Sequence, residues 1–349
     1  MGADYYVQRN NKNLETIDRL LENALPDFCY DYFLAIDSQT STLTRLNYAH
    51  DLKIFFYFLL QRRFKDKSLK EMTLDDLGQV TSNDIEYFLG FLSRYQYCGK
   101  VHTCNERAKA RKLSSVRAMF KFFFNRGYIS VDNSAKVSTP KLHEKPIIRL
   151  DTDEVFSIID VAESGNGLTA RQMAYHEKNR VRDSAILMLF LGTGIRISEL
   201  VGLNNNDINF KDNSFIVTRK GGNKAILYFD DDVANALKRY LEYKDENSEI
   251  LKENEALFLS NNKNRITVRA VENLVHKYAK IVSPLKNISP HKLRSTYGTQ
   301  LYKATGDIYI VADVLGHKDV NTTRKHYAAI SDDNRRAVAG KVKLKRDED

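Results

Sequence analysis

The chain has 349 residues, too many for one ordinary domain and enough for two that each bury a core. Its 54 Lys and Arg outnumber 45 Asp and Glu, and the net charge of +9 favours a polyanionic partner. Three cysteines with no Cys-x-x-Cys pair support neither a disulfide framework nor a zinc site; with no apolar run of signal-peptide or membrane-span length, a cytoplasmic protein without metal is expected.

Residues 1–12 are assigned to an N-terminal tail and residues 13–130 to a helical domain. From Asn13 to Tyr32, Leu14, Ile17, Leu20, Leu21 and Leu25 have helical spacing, interrupted by Pro26. Ser41 or Thr42 can cap a long helix whose Leu46, Ala49, Leu52, Phe55, Phe56 and Leu59 form an inward stripe. A further helix, with Ser82 as its cap, turns Ile85, Phe88, Leu89 and Leu92 inward. These aromatic stripes read as packing.

The helix from about Asn105 to Asn125 differs. Leu113, Val116, Phe120, Phe123 and Phe124 form one stripe, while Arg107, Arg111, Lys112, Arg117 and Lys121 occupy the remainder, with Ser114 and Ser115 as short donors among them. Between Gly99 and Lys145, eleven Lys or Arg face three Asp or Glu, so this segment holds most of the excess charge. Such a face either reads DNA or is merely solvated.

Residues 131–150 lose periodicity, contain Pro140 and Pro146, carry lysines such as Lys141, and read as an extended linker. Asp151 and Glu154 then form a capping-box start, opening a second domain over residues 151–330. The polar stretch from Glu163 to Arg180 reads as a surface insertion with no chemistry. VRDSAILMLFLGTGIRISELVGL holds a buried helix ending at Gly192 to Gly194, after which Arg196 opens a new helix. Arg196 could simply pair with Glu199; a planar guanidinium also grips two phosphate oxygens, with Glu199 orienting it. SFIVTRKGGNKAILYF reads as a hairpin with Lys220 at its tip.

In SPHKLRSTYGTQLYKATGDIYIVADVLGHKDVNTTRKHY, Ser289 caps a helix with Pro290 first, and His291 and Arg294 lie three apart near its positive end. Gly306 ends that helix, a second runs from Asp307 to Leu315, and Gly316 stands beside His317, with Tyr327 closing the run. Two histidines, an arginine and a tyrosine suit a phosphate diester better than a metal or an acyl group.

With Arg196 and Lys220, this dispersed set resembles the tyrosine recombinase (integrase) family, in its order and over roughly Arg182 to Ile330. The resemblance implies a mainly α fold with a small antiparallel β-sheet, built as a C-shaped two-domain clamp of a helical core-binding domain and a catalytic domain. It makes Tyr327 the nucleophile, Arg196 and Arg294 phosphate clamps, Lys220 the general acid, His291 a proton acceptor or donor, and His317 a further donor. It implies double-stranded DNA as substrate, a homo-tetramer on two DNA sites, cleavage and rejoining through a 3′-phosphotyrosyl intermediate and a Holliday junction, room for an accessory protein, and neither cofactor nor ATP. Residues 331–349 would then pack against a neighbouring subunit.

Two departures stand out. Ser295 replaces a histidine found in many relatives, and Tyr327 lies ten residues after His317, where the Xer type commonly has one fewer and some transposon integrases share the longer spacing. Length and domain content favour Xer-type dimer resolution, and the spacing keeps a mobile-element integrase as alternative. A type IB topoisomerase and a non-cleaving DNA-binding protein are the remaining rivals, and Tyr297, Tyr302 and Tyr309 are rival nucleophiles.

Overall fold

The computed structural model describes residues 5–142, 148–219, 222–246, 255–316 and Val320. The chain divides into two compact units, Met1–Lys145 and Pro146–Asp349.

The first unit is helical. Helix α1 (Tyr5–Ala24) starts inside the segment assigned to a tail, because Tyr5 and the polar residues after it continue the helix upstream of Leu14. Pro26 breaks it as expected, and α2 (Cys29–Ala35) follows. Helix α3 (Thr42–Arg62) is capped by Ser41, whose side chain accepts from the Thr44 N–H. Helices α4 (Leu74–Gln79) and α5 (Ser82–Phe91) have capping boxes on Thr73 and Thr81. Thr81, not Ser82, is therefore the cap of α5. Phe55, Phe56, Phe88, Phe120 and Phe123 are fully buried among these helices and α6 (Glu106–Asn125), and burial stabilises each by about 1.5–3 kcal/mol.

A small hairpin, β1 (Tyr95–Tyr97) and β2 (Lys100–His102), precedes α6 and has no counterpart among the expected elements. Its two-residue turn holds Cys98 and Gly99 at φ 47° and 73°, the left-handed pair a tight hairpin requires. The first part of the expected linker is not extended: Asn133–Lys136 forms a 3-10 turn tied to α6.

The second unit contains α7 (Thr152–Ser164), started by the Asp151–Glu154 capping box, and α8 (Ala170–Thr193). Most of the supposed surface insertion is the first half of α8. Thr169 caps it, and His176, only 2 % exposed, bonds the Tyr278 hydroxyl at 3.1 Å. After α9 (Ile197–Gly202) come three antiparallel strands in the order β3 (Ile208–Asn209), β4 (Ser214–Thr218), β5 (Lys224–Tyr228). Helices α10 (Asp231–Glu246), α11 (Val268–Val282), α12 (Pro290–Thr305) and α13 (Ile308–Leu315) complete the unit. The chain is thus mainly α with small antiparallel sheets.

Candidate active site

Four elements of the second unit bring the described candidates together. Gly194 closes α8 at φ +63°, and a Cβ there would overlap the Tyr297 ring and stand 2.9 Å from Leu315 Cδ2. Glycine is needed both for the turn and for the close approach. Two residues on, Arg196 is the N-cap of α9, and Glu199 accepts from its backbone N–H at 3.0 Å and from its Nη1 at 2.7 Å. Glu199 is 2 % exposed, and the arginine beside it supplies the counter-charge that a buried carboxylate needs.

Arg196 Nη2 reaches the carbonyls of Leu315 at 3.0 Å and Gly316 at 2.9 Å. Arg294, on α12 and 5 % exposed, donates Nη1 to Gly194 O at 2.5 Å and Nη2 to Leu315 O. Two arginines 98 residues apart in sequence therefore share one carbonyl, at the negative end of α13. Gly316 caps that helix in the left-handed region, and the next residue in the chain is His317.

His291 is exposed at the start of α12. Ser289 holds the N-cap position there with extended backbone, but its side chain makes no capping hydrogen bond; Pro290 is the first helical residue as expected. Lys220, His317 and Tyr327 lie outside the described residues, as does the segment after Tyr327. Of the rival tyrosines, Tyr297 is half-buried and burial, with Asp230 nearby, pushes its phenol above the usual range, which disfavours the tyrosinate. Tyr309 is 70 % exposed on α13, and Tyr302 is half-buried on α12.

Sequence reasoning passed over Arg219, which donates Nη2 to Val314 O at 3.1 Å. Three guanidinium groups thus meet the last carbonyls of α13, with Glu199 as the carboxylate bonded among them. The surplus of positive charge suits an anion. Among the described residues no group of three or more His, Cys, Asp or Glu is placed to hold a metal ion, and no helix is long and apolar enough to cross a membrane.

In the first unit, α6 divides its cations differently from the expectation. Lys112 and Ser115 fall on the core-facing arc with Val116 and Met119; both bond the fully buried carboxylate of Asp51 on α3, at 2.8 and 2.9 Å. Both side chains are buried against α3 and not on the exposed face of α6. Arg111 bonds the same carboxylate while its side chain stays half exposed. Arg117 spends its guanidinium on Ser134 O, Val137 O and Thr139 Oγ1, fastening the turn after the helix. Arg107, Ser114 and Lys121 are exposed, and so is Lys141 beyond the helix. Phe124, expected inside, is 44 % exposed.

A model of the phage integrase family matches residues 149–334, more than half of the chain. The chain belongs to that family. It is similar to the tyrosine recombinase XerC of Syntrophus aciditrophicus (strain SB), 30 % identical over 309 residues that cover 86 % of this chain and 92 % of the relative. It is equally similar to the tyrosine recombinase XerS of Streptococcus agalactiae serotype III (strain NEM316), 30 % identical over 93 % of this chain and 98 % of the relative. In fold it resembles the crystal structure of XerH site-specific recombinase bound to palindromic difH substrate in a post-cleavage complex, with TM-score 0.64 and 17 % identity over 86 % of this chain and 81 % of that one. This family member is therefore a tyrosine recombinase, an enzyme that cuts and rejoins DNA at specific sites.

Proposed function

We propose that the protein is a Xer-type recombinase acting in the cytoplasm as a homo-tetramer on two double-stranded DNA sites. The observation that carries the reading is the convergence of Arg196 and Arg294 on Leu315 O, two residues before His317. In that arrangement both guanidinium groups face one phosphate and neutralise it. A phenol with a reference pKa of about 10 attacks only a phosphate relieved of its repulsive charge.

The Tyr327 oxygen forms the new bond to phosphorus, and its proton passes to His291. The bond from phosphorus to the 5′ oxygen breaks, and Lys220 protonates that oxygen. Arg196, Arg294 and His317 stabilise the negative charge in between. The ester is kept as a 3′-phosphotyrosyl bond, so a 5′ hydroxyl of the partner duplex reverses the step without ATP. Two rounds through a Holliday junction complete the exchange. Arg107, Arg111, Ser114 and Lys121 on α6, and Lys141, are the proposed DNA contacts of the first unit.

A nicked suicide duplex tests the chemistry, since it traps the covalent adduct. Peptide mapping is expected to find the adduct on Tyr327, and Tyr327→Phe is expected to abolish it; an adduct on Tyr302 or Tyr309 would refute the assignment. The ten-residue spacing from His317 to Tyr327 favours a second reading, a mobile-element integrase. Resolution of two directly repeated copies of a single chromosomal site supports the first, and activity restricted to element ends supports the second.

A further inference from the structure

Arg219 ends the β4 arm. Its N–H donates to Asn223 O at 2.8 Å and its carbonyl accepts from Gly222 N at 3.1 Å, while the ladder itself stops at the Thr218–Lys224 pair. Its side chain leaves the arm altogether. Nη2 donates to Val314 O on α13 at 3.1 Å, and the guanidinium packs on Gly316 so closely that a Cβ there would overlap Nη1 and Cζ and stand 2.9 Å from Nε. Gly316 is at φ +59°, so its lack of a side chain serves the helix end and the arginine together. Arg219 Nε is buried and finds no partner among the described residues. Burying an unpaired donor is unfavourable, and the contact with the helix end must offset that cost. This is a built contact, and it joins the residue preceding Lys220 to the residue preceding His317.

We propose that Arg219 is a positioning residue that latches the β4–β5 arm to the C-terminal end of α13 and thereby holds Lys220 at the departing 5′ oxygen. The inference rests on the reading of Lys220 as general acid. A guanidinium suits the task because its planar fork donates to a helix-end carbonyl while lying flat on a glycine, and its charge is favoured at the negative end of the helix. A displacement of about 1 Å at a reacting group costs on the order of 100-fold in rate.

The test compares two suicide duplexes, one with the natural 5′ oxygen at the scissile phosphate and one with sulfur bridging there. On the second, Tyr327 Oη bonds to phosphorus, the P–S bond breaks, and the thiolate departs unprotonated, because a thiol has a pKa of about 8.5. Lys220→Ala defines the response to a lost general acid. Arg219→Ala is expected to cut the oxygen strand about 10- to 100-fold more slowly than wild type and to return close to the wild-type rate on the sulfur strand. Rescue also shows that the variant folds. Arg219→Lys keeps the charge and loses the fork, so it serves where the alanine variant fails to fold, and the same split is expected in smaller amplitude. Wild-type cutting of the oxygen strand by both Arg219 variants, or equal slowing on both strands, overturns the proposal. If Lys220→Ala is rescued and Arg219→Ala is not, only the role of Arg219 falls; if Lys220→Ala is not rescued, the general-acid reading falls and takes the latch with it.

Discussion

Glu199 is the most exacting place to perturb the site, because one buried carboxylate both starts α9 and holds Arg196. Glu199→Ala removes the bond from the Arg196 N–H at 3.0 Å and the charge-assisted bond from Nη1 at 2.7 Å. The first is a capping bond contributing about 1 kcal/mol, and the second contributes about 1.5–3 kcal/mol. The expected loss is about 3 kcal/mol, which for a unit of this size lowers its melting temperature by about 6–12 °C. Glu199→Gln keeps the volume and one acceptor oxygen for two donors, so about half of the loss is expected, and Arg196 is no longer locked. Calorimetry reads the first effect. Rapid-quench measurement of covalent adduct reads the second, an expected drop of about 10- to 100-fold for a clamp out of line. Wild-type adduct formation by Glu199→Gln, with its melting temperature lowered, would show that Arg196 does not meet the phosphate in the orientation Glu199 imposes.

The two faces of α6 separate by assay. Arg107→Ala and Lys121→Ala are each expected to lower the slope of log K against log salt by about 0.9 with stability unchanged, whereas Asp51→Ala leaves the Lys112 ammonium buried without its carboxylate and is expected to destabilise the first unit by about 3–5 kcal/mol. An unchanged slope in both cation variants would remove α6 from the DNA contacts. Lys244, 3 % exposed and donating to Asn205 Oδ1 at 2.9 Å and Ala256 O at 2.7 Å, is lowered by burial to about 8. The unfolded lysine titrates near 10.4, so between pH 8 and 10 the unfolded chain holds the proton that the folded one has lost, and stability is expected to rise by about 2–3 kcal/mol across that window. Lys244→Met is expected to flatten the rise; a rise of equal size in the variant would contradict the assignment.

Helices with full apolar stripes were legible in the sequence, and so were the Asp151–Glu154 capping box, the β4–β5 strands and the glycine ends of α8, α12 and α13. Each follows from spacing within one segment. Contacts between segments were less legible. Lys112 and Ser115 look like members of a cationic face until Asp51 is placed opposite them, sixty-one and sixty-four residues earlier. Arg117 carries no mark that it binds the turn after its helix. The stretch from Glu163 to Arg180 is polar by composition, and only the burial of His176 against Tyr278 reveals its inner side. Within the site, the order of Arg196 and Arg294 is visible in the chain, whereas their common acceptor is a main-chain carbonyl, which no residue type announces. Arg219 was passed over for the same reason: TRKGGNK contains three cations, and sequence alone does not say which one turns toward a helix end.

The anchoring of α13 by side chains from three other parts of the chain has a bearing on how length can vary. An extra residue inserted before Leu315 has to be absorbed without moving a point to which Arg196, Arg219 and Arg294 are all moored. The described moorings all fall on Val314, Leu315 and Gly316. The interval between His317 and Tyr327 begins after these contacts in sequence, so a residue gained or lost within it leaves the fixed end of the helix in its place.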